Sequence, residues 1–493
     1  MDQLAPPQIP PRRRLFFPAR RFASALALLL VPAVVTADEI LTFPAADLVL
    51  GQADFTGSAE TDPPTGTSLS DVGAIIRDPI SGKVFVSDTD NNRVLRYRNP
   101  ATLANGGSAE FAFGQANLTS RVSGTSASSN SGPAGLALDS SGRLWVADPD
   151  NSRVLRFNAA VSTTTSAPAA TLVLGQSNFT SGGAAMPPTA SSMLSPSGLH
   201  FDAAGRLWVV DSGNHRILRF DNVDSLTNGA AADAVLGQGS FTTSAPGSGD
   251  SSLNGPRDLT LDSTGTLWVA DAGNHRVLGF PSAATLANGS PATRVLGQGN
   301  FSSVDAGLSA SRFNNPNGVF AVGNSLWVLD SGNHRALRFF PLAGLANGAP
   351  AMTVVGQPDF KTAATSIVDA RHFTFPFMGI FVDFEGALWV SDQSARRLLR
   401  FDPETSARPT ITIRGRSRLS TRKRKVTIRG TAFADTSLVS TQVVVGKLRP
   451  PIVGLERWSA KVRLKPGTNS VRATARDALG KTSRPARLVI TRE

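Results

Sequence analysis

The side chains that most often perform chemistry are scarce in this sequence. It contains five His and no Cys among 493 residues. The lack of Cys excludes disulfide scaffolds, thiolate metal sites and cysteine nucleophiles. Three of the His belong to one recurring tetrapeptide, Gly-Asn-His-Arg, at residues 213–216, 273–276 and 332–335. The other two, His200 and His372, lie outside that motif and are the first candidates for a functional site.

Paired Asp and Arg residues recur around the same motif in six places. The aspartates are Asp88, Asp148, Asp211, Asp271, Asp330 and Asp392, and the arginines are Arg93, Arg153, Arg216, Arg276, Arg335 and Arg397. In a repeat protein, a residue that returns in every copy usually serves the repeat unit itself. We therefore predict a structural Asp–Arg pair across a turn in each copy. The same structural role is predicted for His215, His275 and His334.

A row of aromatic residues resembles a sugar-binding platform, but its strict position favours core packing. The row consists of Phe85, Trp145, Trp208, Trp268, Trp327 and Trp389. Packing between wedge-shaped repeat units requires a large flat side chain at the same place in each unit. We predict that these residues are buried.

The elements that carry these residues repeat six times. The segment with the Asp–Arg pair returns at intervals of 60, 63, 60, 59 and 62 residues. Each repeat holds four short runs rich in Val, Leu, Trp and Phe and bounded by turn residues, which we name strands A to D in chain order. Four consecutive antiparallel strands per repeat predict an all-β fold, a six-bladed β-propeller. The longer 3.6-residue periodicity of helical repeats is absent.

The order of the strands predicts how the propeller closes. A strand D, residues 47–51, precedes the first strand A, whereas the sixth repeat ends after strand C at Phe401. The N-terminal strand is therefore predicted to complete the sixth blade. Closure of this kind removes the sheet edge that an open array would expose.

One block of the second repeat resembles a known family. It reads Pro133-x-Gly-Leu-x-Leu-Asp, then Gly-Arg-Leu-Trp-Val-Ala-Asp, then Asn-x-Arg-Val-Leu-Arg-Phe157, and it is similar to the NHL repeat. The resemblance covers residues 47–402 and implies a six-bladed propeller. It leaves the function open, because the family includes binding platforms and related six-bladed propellers include metal-dependent lyases and lactonases.

Function is expected where the copies differ, near the ring axis at the start of strand A. The departures there are His200, Arg257, Asp258 and His372, and we predict them as an axial ligand-binding site. A lyase-type zinc or calcium centre needs three or more converging His, Asp or Glu ligands. None of the five Glu in residues 38–407 begins a strand A. We therefore predict no catalytic residue, no metal ligand and no cofactor, with a metal-dependent lyase or lactonase as the alternative.

The connections from strand D to the next strand A are a second place for recognition. They span residues 115–132, 176–195, 238–254, 298–315 and 357–376 and are rich in Ser, Gly, Thr and Ala. Loops of this length often carry function. Plain crossing linkers are an equally favoured interpretation.

Residues 1–37 have the layout of a secretory signal peptide. Five Arg precede an apolar run over residues 22–35, and small residues offer a cleavage site after Ala37. The run is shorter than the roughly 20 apolar residues of a membrane span. An uncleaved membrane anchor is therefore the less favoured alternative. We predict export from a bacterial cell, to the periplasm, the cell surface or the medium.

The charge of the chain changes abruptly near residue 408. Residues 38–407 carry a net charge of −9, and residues 408–493 carry +17. The tail shows six strand-like segments, at residues 410–414, 425–429, 441–445, 458–464, 470–475 and 487–491. The stretch from Trp458 to Asp477 resembles bacterial Ig-like domains. We predict a propeller over residues 38–407 and a basic Ig-like β-sandwich over residues 408–493.

The basic tail predicts an anionic partner, held by Arg422, Lys423, Arg424 and Lys425. Because the chain is predicted to be exported, an anionic cell-envelope polymer or lipid is favoured. Nucleic acid is disfavoured, because few aromatic residues accompany these cations. The sequence as a whole predicts a non-catalytic binding or scaffold protein of the cell envelope, with a protein or carbohydrate ligand on the propeller face.

Overall fold

The computed structural model describes residues 43–403 and, further along the chain, 410–413, 418–433, 438–445, 448, 450, 452–453, 457–477 and 486–493. The predicted signal peptide, residues 1–37, and the predicted boundary at residue 408 lie outside these ranges. The described residues form strands and short 3-10 turns without any α-helix, as the all-β prediction requires. Within the same ranges, no helix has the length and apolar character needed to cross a membrane.

Residues 43–403 form six four-stranded antiparallel sheets, which we call blades 1 to 6. Strand β1 (Leu48–Leu50) comes first. Blade 1 holds β2 (Val72–Arg77), β3 (Val84–Asp88), β4 (Arg93–Tyr97) and β5 (Phe111–Phe113). Blade 2 holds β6 (Leu136–Leu138), β7 (Leu144–Asp148), β8 (Arg153–Phe157) and β9 (Leu172–Leu174). Blade 3 holds β10 (Pro196–Phe201), β11 (Leu207–Asp211), β12 (Arg216–Phe220) and β13 (Ala234–Leu236). Blade 4 holds β14 (Pro256–Leu261), β15 (Leu267–Asp271), β16 (Arg276–Phe280) and β17 (Arg294–Leu296). Blade 5 holds β18 (Pro316–Val322), β19 (Ser325–Asp330), β20 (Arg335–Phe339) and β21 (Thr353–Val355). Blade 6 holds β22 (Pro376–Val382), β23 (Leu388–Asp392) and β24 (Arg397–Phe401) together with β1.

The N-terminal strand lies in blade 6, where the strand order of the sequence predicts it. Strand β1 pairs antiparallel with β24, with Val49 opposite Leu399. The Asp47 carboxylate accepts a hydrogen bond from Arg400 at 2.7 Å. Val49 and Leu50 are fully buried. The first and last strands of the propeller therefore share one sheet.

The aromatic row is buried between neighbouring blades, which confirms the core interpretation. Each of six hydrophobic clusters joins two adjacent blades, and each contains one member of the row. The indole N–H of Trp145 donates to Asp139 at 2.9 Å, so the polar atom of the ring is satisfied inside the protein. Trp208, Trp268 and Trp389 make the same bond to the Asp that follows strand A of their own blades.

The predicted Asp–Arg pairs are present in all six blades. In blade 3, the Arg216 Nε lies 2.7 Å from Asp211 Oδ2, and both side chains are fully buried. The rest of the guanidinium donates to the carbonyls of Thr189, Ser192 and Phe241 in the connections on either side of the blade. These connections are therefore tied to the turn motif, as crossing linkers would be.

The His of the tetrapeptide motif also has a structural place. His215 and His275 end the 3-10 turns Ser212–Asn214 and Ala272–Asn274 in the left-handed conformation. The His215 Nδ1 accepts a hydrogen bond from the Gly255 backbone N–H, and His275 Nδ1 accepts one from Asn315, each at 2.9 Å. Each ring thus links its own blade to the start of the next. The structural prediction for these two His is confirmed.

The C-terminal residues form two further four-stranded sheets that enclose one hydrophobic core. The strands are β25 (Thr410–Ile413), β26 (Arg418–Thr421), β27 (Lys425–Phe433), β28 (Leu438–Val445), β29 (Ile452–Val453), β30 (Arg457–Arg463), β31 (Gly467–Asp477) and β32 (Ala486–Arg492). One sheet has the order β25-β27-β30-β29 and the other β26-β32-β31-β28. Strands β26 and β29 are missing from the sequence prediction, since neither shows a hydrophobic alternation long enough to identify it. We call residues 410–493 the C-terminal module.

Candidate functional site

A small cavity, which we call the channel, lies on the axis of the propeller and is lined by the first strand of every blade. Its wall includes Ile75, Leu136, Leu199, Leu259, Val319 and Ile380, one from each blade in turn, and it encloses about 60 Å³. The first strands face each other here because they are the innermost strands of their sheets. A wider opening adjoins the channel at the end where these strands begin.

That opening, which we call the axial vestibule, has a volume of about 520 Å³. Its wall is built from the turns between strands B and C and from the starts of the strands A. Blades 1 and 2 contribute Asp71, Asp90 and Asp150, whereas blade 4 contributes Arg257. The vestibule therefore contains groups of both charges.

Arg257 has no partner for its charge in the described propeller. Its backbone carbonyl accepts a hydrogen bond from the Ser197 hydroxyl at 2.7 Å, which fixes the strand. None of the described residues forms a hydrogen bond or an ion pair with its guanidinium. Burial alone lowers the pKa of Arg257, without an acidic neighbour to oppose the shift. A partly buried cation without a counter-ion is costly unless an anion binds to it.

On the acidic side of the vestibule, negative rather than positive charge is held in an unfavourable environment. Burial, together with the nearby Asp90 and Asp88, raises the pKa of Asp71 to about 6, although Arg396 opposes the shift. Asp90 accepts a hydrogen bond from Ser70 at 3.3 Å, and Asp150 accepts one from Ser131 at 3.1 Å. Asp71, Asp90 and Asp150 therefore form an acidic patch in which Asp90 repels Asp71 in the free protein.

Replacing Asp71 by Asn is expected to stabilise the propeller above pH 6. The folded-state pKa of about 6 exceeds the ordinary value of 3.8, so the folded chain binds more protons than the unfolded chain between these pH values. Stability therefore falls as the pH rises through this window, and the variant escapes that loss. Asn also tolerates the positive φ of 52° at this position. Urea unfolding at pH 4 and pH 8 measures the effect. The gain should be larger at pH 8, and an equal gain at both pH values would contradict it. Asp150→Asn, at an exposed carboxylate, is the matched control.

His200 and Asp258 line the channel below the vestibule, and Arg257 lines the vestibule itself. Asp258 accepts hydrogen bonds from the backbone N–H groups of Leu259 and Val319, each at 2.9 Å. Burial raises its pKa to about 7 in spite of these bonds. Burial also lowers the pKa of His200 to about 4, which keeps the imidazole neutral. Three of the four predicted axial residues thus lie on the axis.

His372 does not join them, and its predicted axial position is wrong. The residue forms a bridge with Gly356, which follows the outermost strand of blade 5. Its Nδ1 lies 3.0 Å from Asp369, and its ring packs edge-on against Phe43. At His372 the chain still runs beside the end of the outermost strand of blade 5, and it reaches the axis only where strand A begins at Pro376, which proximity in sequence does not reveal.

The acidic residues of the vestibule were not among the predicted site residues. Asp90 and Asp150 occupy a turn position that holds Gly213, Gly273 and Gly332 in blades 3 to 5. These aspartates can be recognised in the sequence by comparing the copies at this turn rather than at strand A. In the described residues, no group of three or more His, Asp or Glu is placed to hold a metal ion.

The predicted anion-binding residues of the C-terminal module are exposed. Arg422, Lys423 and Arg424 lie between β26 and β27, and Lys425 begins β27. The Arg422 Nε is 3.8 Å from the Glu493 carboxylate. Lys425 stands directly opposite Arg463 of β30. Among these four cations, Arg422 therefore has an acidic neighbour, whereas Lys425 faces another cation.

Comparison with protein families identifies the repeat. The model of the NHL repeat matches residues 130–157, 193–220 and 253–280. This chain contains NHL repeats. The matched NHL repeats belong to blades 2, 3 and 4. Blades 1, 5 and 6 lie outside the matched residues but have the same buried Asp–Arg pair, Asp88–Arg93, Asp330–Arg335 and Asp392–Arg397.

Several solved structures are similar to this chain at low identity. A virginiamycin B lyase from Staphylococcus aureus is 14% identical over 69% of this chain and 82% of its own, with a TM-score of 0.39. A gluconolactonase from Xanthomonas campestris is 13% identical over 73% and 97%, with a TM-score of 0.40. Hydrazine synthase from Kuenenia stuttgartiensis is 14% identical over 70% and 79%, with a TM-score of 0.39. No curated protein matches the chain significantly.

Proposed function

We propose that this chain is an exported binding protein of the bacterial cell envelope that holds a ligand in the axial vestibule and an anionic partner on the C-terminal module. The observation that carries the proposal is the unpartnered guanidinium of Arg257 in an open cavity of about 520 Å³. An anionic group of a ligand would supply the counter-charge that this Arg lacks.

The acidic patch across the vestibule narrows the class of ligand. Asp71, Asp90 and Asp150 favour a cationic group or hydrogen-bond donors, whereas Arg257 favours an anion. A ligand that carries both, such as a peptide with free termini or an amino-sugar phosphate, would relieve both charge imbalances. Phe377 adds an apolar surface to the same wall. This class agrees with a protein or carbohydrate ligand on the propeller face.

Arg257→Gln is expected to weaken the binding of such ligands about 10- to 100-fold, because a hydrogen bond to a charged group contributes about 1.5–3 kcal/mol. Calorimetric titration of the full chain with dipeptides and with glucosamine 6-phosphate measures this. Blocking the carboxyl end of the dipeptide should reproduce the loss in the wild type and have little further effect in the variant. Asp250→Asn, on an exposed loop, is a control for a single charge change. If the variant binds as tightly as the wild type, the vestibule is not the site.

One observation supports the alternative function, a metal-dependent lyase or lactonase. Asp258, whose pKa burial raises to about 7, lines the same axial channel as the neutral His200, and perturbed pKa values often mark active sites. Metal analysis of the full chain separates the two functions. Stoichiometric zinc or calcium that is lost on His200→Ala or Asp258→Asn would favour the enzyme.

A further inference from the structure

The two central strands of one sheet of the C-terminal module place their cations on a single face. In β30, Trp458, Ala460 and Val462 are buried, whereas Arg457, Lys461 and Arg463 alternate with them and are exposed. In β27, Lys425 and Arg429 are exposed and alternate with the buried Ile428 and Gly430. Because successive side chains of a strand point to opposite faces, these five cations share the outer face. We call them the basic row: Lys425, Arg429, Arg457, Lys461 and Arg463.

The register of the two strands brings like charges together. Lys425 stands directly opposite Arg463, and Arg429 stands opposite Ser459, diagonal to both Arg457 and Lys461. Neither strand contains an acidic residue. Like charges that face each other across a pair of strands destabilise the sheet. The basic row therefore costs stability in the free protein, and a bound anion would remove that cost.

The row is narrow and linear. It follows two adjacent strands, which lie about 4.8 Å apart, and extends over six residue steps of about 3.4 Å, or about 20 Å. The residues between its cations are small and polar: Thr427, Thr431 and Ser459. Between the cations, the described positions of β27 and β30 hold no large apolar side chain of the kind with which many peripheral proteins anchor in a bilayer. Its shape fits a chain of repeated anionic groups better than a broad surface.

The outer face of the opposite sheet provides a contrast. Its exposed positions include the polar Thr468, Ser470 and Thr491, together with Arg472, which stands opposite Arg487. Among the described side chains, cations are therefore denser along the outer face of β27 and β30 than along that of β31 and β32.

We propose that the basic row binds a linear polyanion, a polymer with a phosphate, carboxylate or sulfate group on each repeating unit. This inference rests on the proposed function, since it specifies the anionic partner of the C-terminal module. It also moves the site from the segment of Arg422, Lys423 and Arg424 to the sheet face. Lys425 is common to both.

Two triple variants of the full chain, each losing three positive charges, test the location. The row variant is Arg429→Thr, Lys461→Thr and Arg463→Thr, and the segment variant is Arg422→Thr, Lys423→Thr and Arg424→Thr. Long-chain inorganic polyphosphate and polygalacturonate are the polymer probes, and phosphatidylglycerol vesicles are the lipid probe. The row variant should bind both polymers about 10- to 100-fold more weakly at low salt and should reduce the salt slope by about 2. The segment variant should lose much less.

Folding of the row variant is checked by its thermal unfolding. We expect its midpoint to equal or exceed that of the wild type, because the substitutions remove the repulsion between Lys425 and Arg463 and place a good strand former at exposed positions. Loss of polymer binding without loss of stability then shows that the substitutions act on the binding surface and not on folding.

The outcomes distinguish failure of the anionic partner of the C-terminal module from failure of the basic row as its binding site. If the wild type binds neither polymer nor vesicles at low salt, the proposed anionic partner of the module fails, and the row with it. If it binds polymers but the segment variant loses as much as the row variant, only the row is overturned. If it binds vesicles as tightly as polymers at equal anionic charge, the ligand is a lipid surface and the polymer claim is wrong.

Discussion

Deletion of residues 38–52 should lower the free energy of unfolding of the propeller by about 5 kcal/mol or more. The deletion removes β1, and with it the buried side chains of Leu48, Val49 and Leu50, each of which contributes roughly 1.5–3 kcal/mol through burial. It also exposes the edge of β24, which is prone to pairing with other chains. Urea unfolding followed by Trp fluorescence measures the loss, and light scattering measures the association that exposure of the edge should cause.

A point variant tests the same strand without changing the length of the chain. Leu50→Ala should cost about 2–5 kcal/mol, because Leu50 is fully buried between blades 6 and 1. The matched control is Ile80→Ala, since the Ile80 side chain is 92% exposed. A truncated chain with unchanged stability would mean that β1 is dispensable and that the ring is closed by other contacts.

Arg216→Met should destabilise the protein by about 3–5 kcal/mol. The substitution leaves the Asp211 carboxylate buried without its cation, and it removes the donors of three carbonyls in the flanking connections. Breaking one side of a buried ion pair is costly because the remaining charge is neither hydrated nor paired. Chemical unfolding of the full chain measures the change.

The control for this variant is Arg294→Met, at an exposed Arg that donates to the adjacent Thr293 carbonyl. Its effect should stay within about 0.5 kcal/mol. The double variant Asp211→Asn, Arg216→Met should cost less than the sum of the two single changes, because it removes both charges of the pair. A cost for Arg216→Met as small as that of the control would show that the pair does not hold the turn.

The features that could be predicted from the sequence are those that the repeat displays six times. The pairing of Asp211 with Arg216 and the burial of Trp208 follow from their recurrence, since each residue solves the same packing problem in every blade. The place of β1 follows from counting strands, because the extra strand D before the first repeat matches the strand D that the sixth repeat lacks.

The site was predicted less completely, because it depends on residues that appear once and on contacts between distant segments. His200, Arg257 and Asp258 were found as departures from the repeat at strand A. Asp71 was missed because it becomes part of a site only when blades 1 and 4 face each other across the axis. The basic row was missed for a related reason. The alternation in β30 is visible in the sequence, but the register that sets Lys425 against Arg463 is not.

The shared sheet of the first and last propeller strands also has a consequence for the time course of folding. Asp47 and Arg400, which bond to each other in blade 6, are 353 residues apart in the chain. During synthesis, β1 is therefore made before any of its partners, and blade 6 stays incomplete until β24 has emerged. Contacts of such long range slow folding far more than they reduce stability, since the entropy of closing a loop grows only with the logarithm of its length. A nascent chain holds an unpaired apolar segment, Leu48–Leu50, for that whole interval. Chaperones that retain extended apolar strands would have their longest opportunity at this end of the protein.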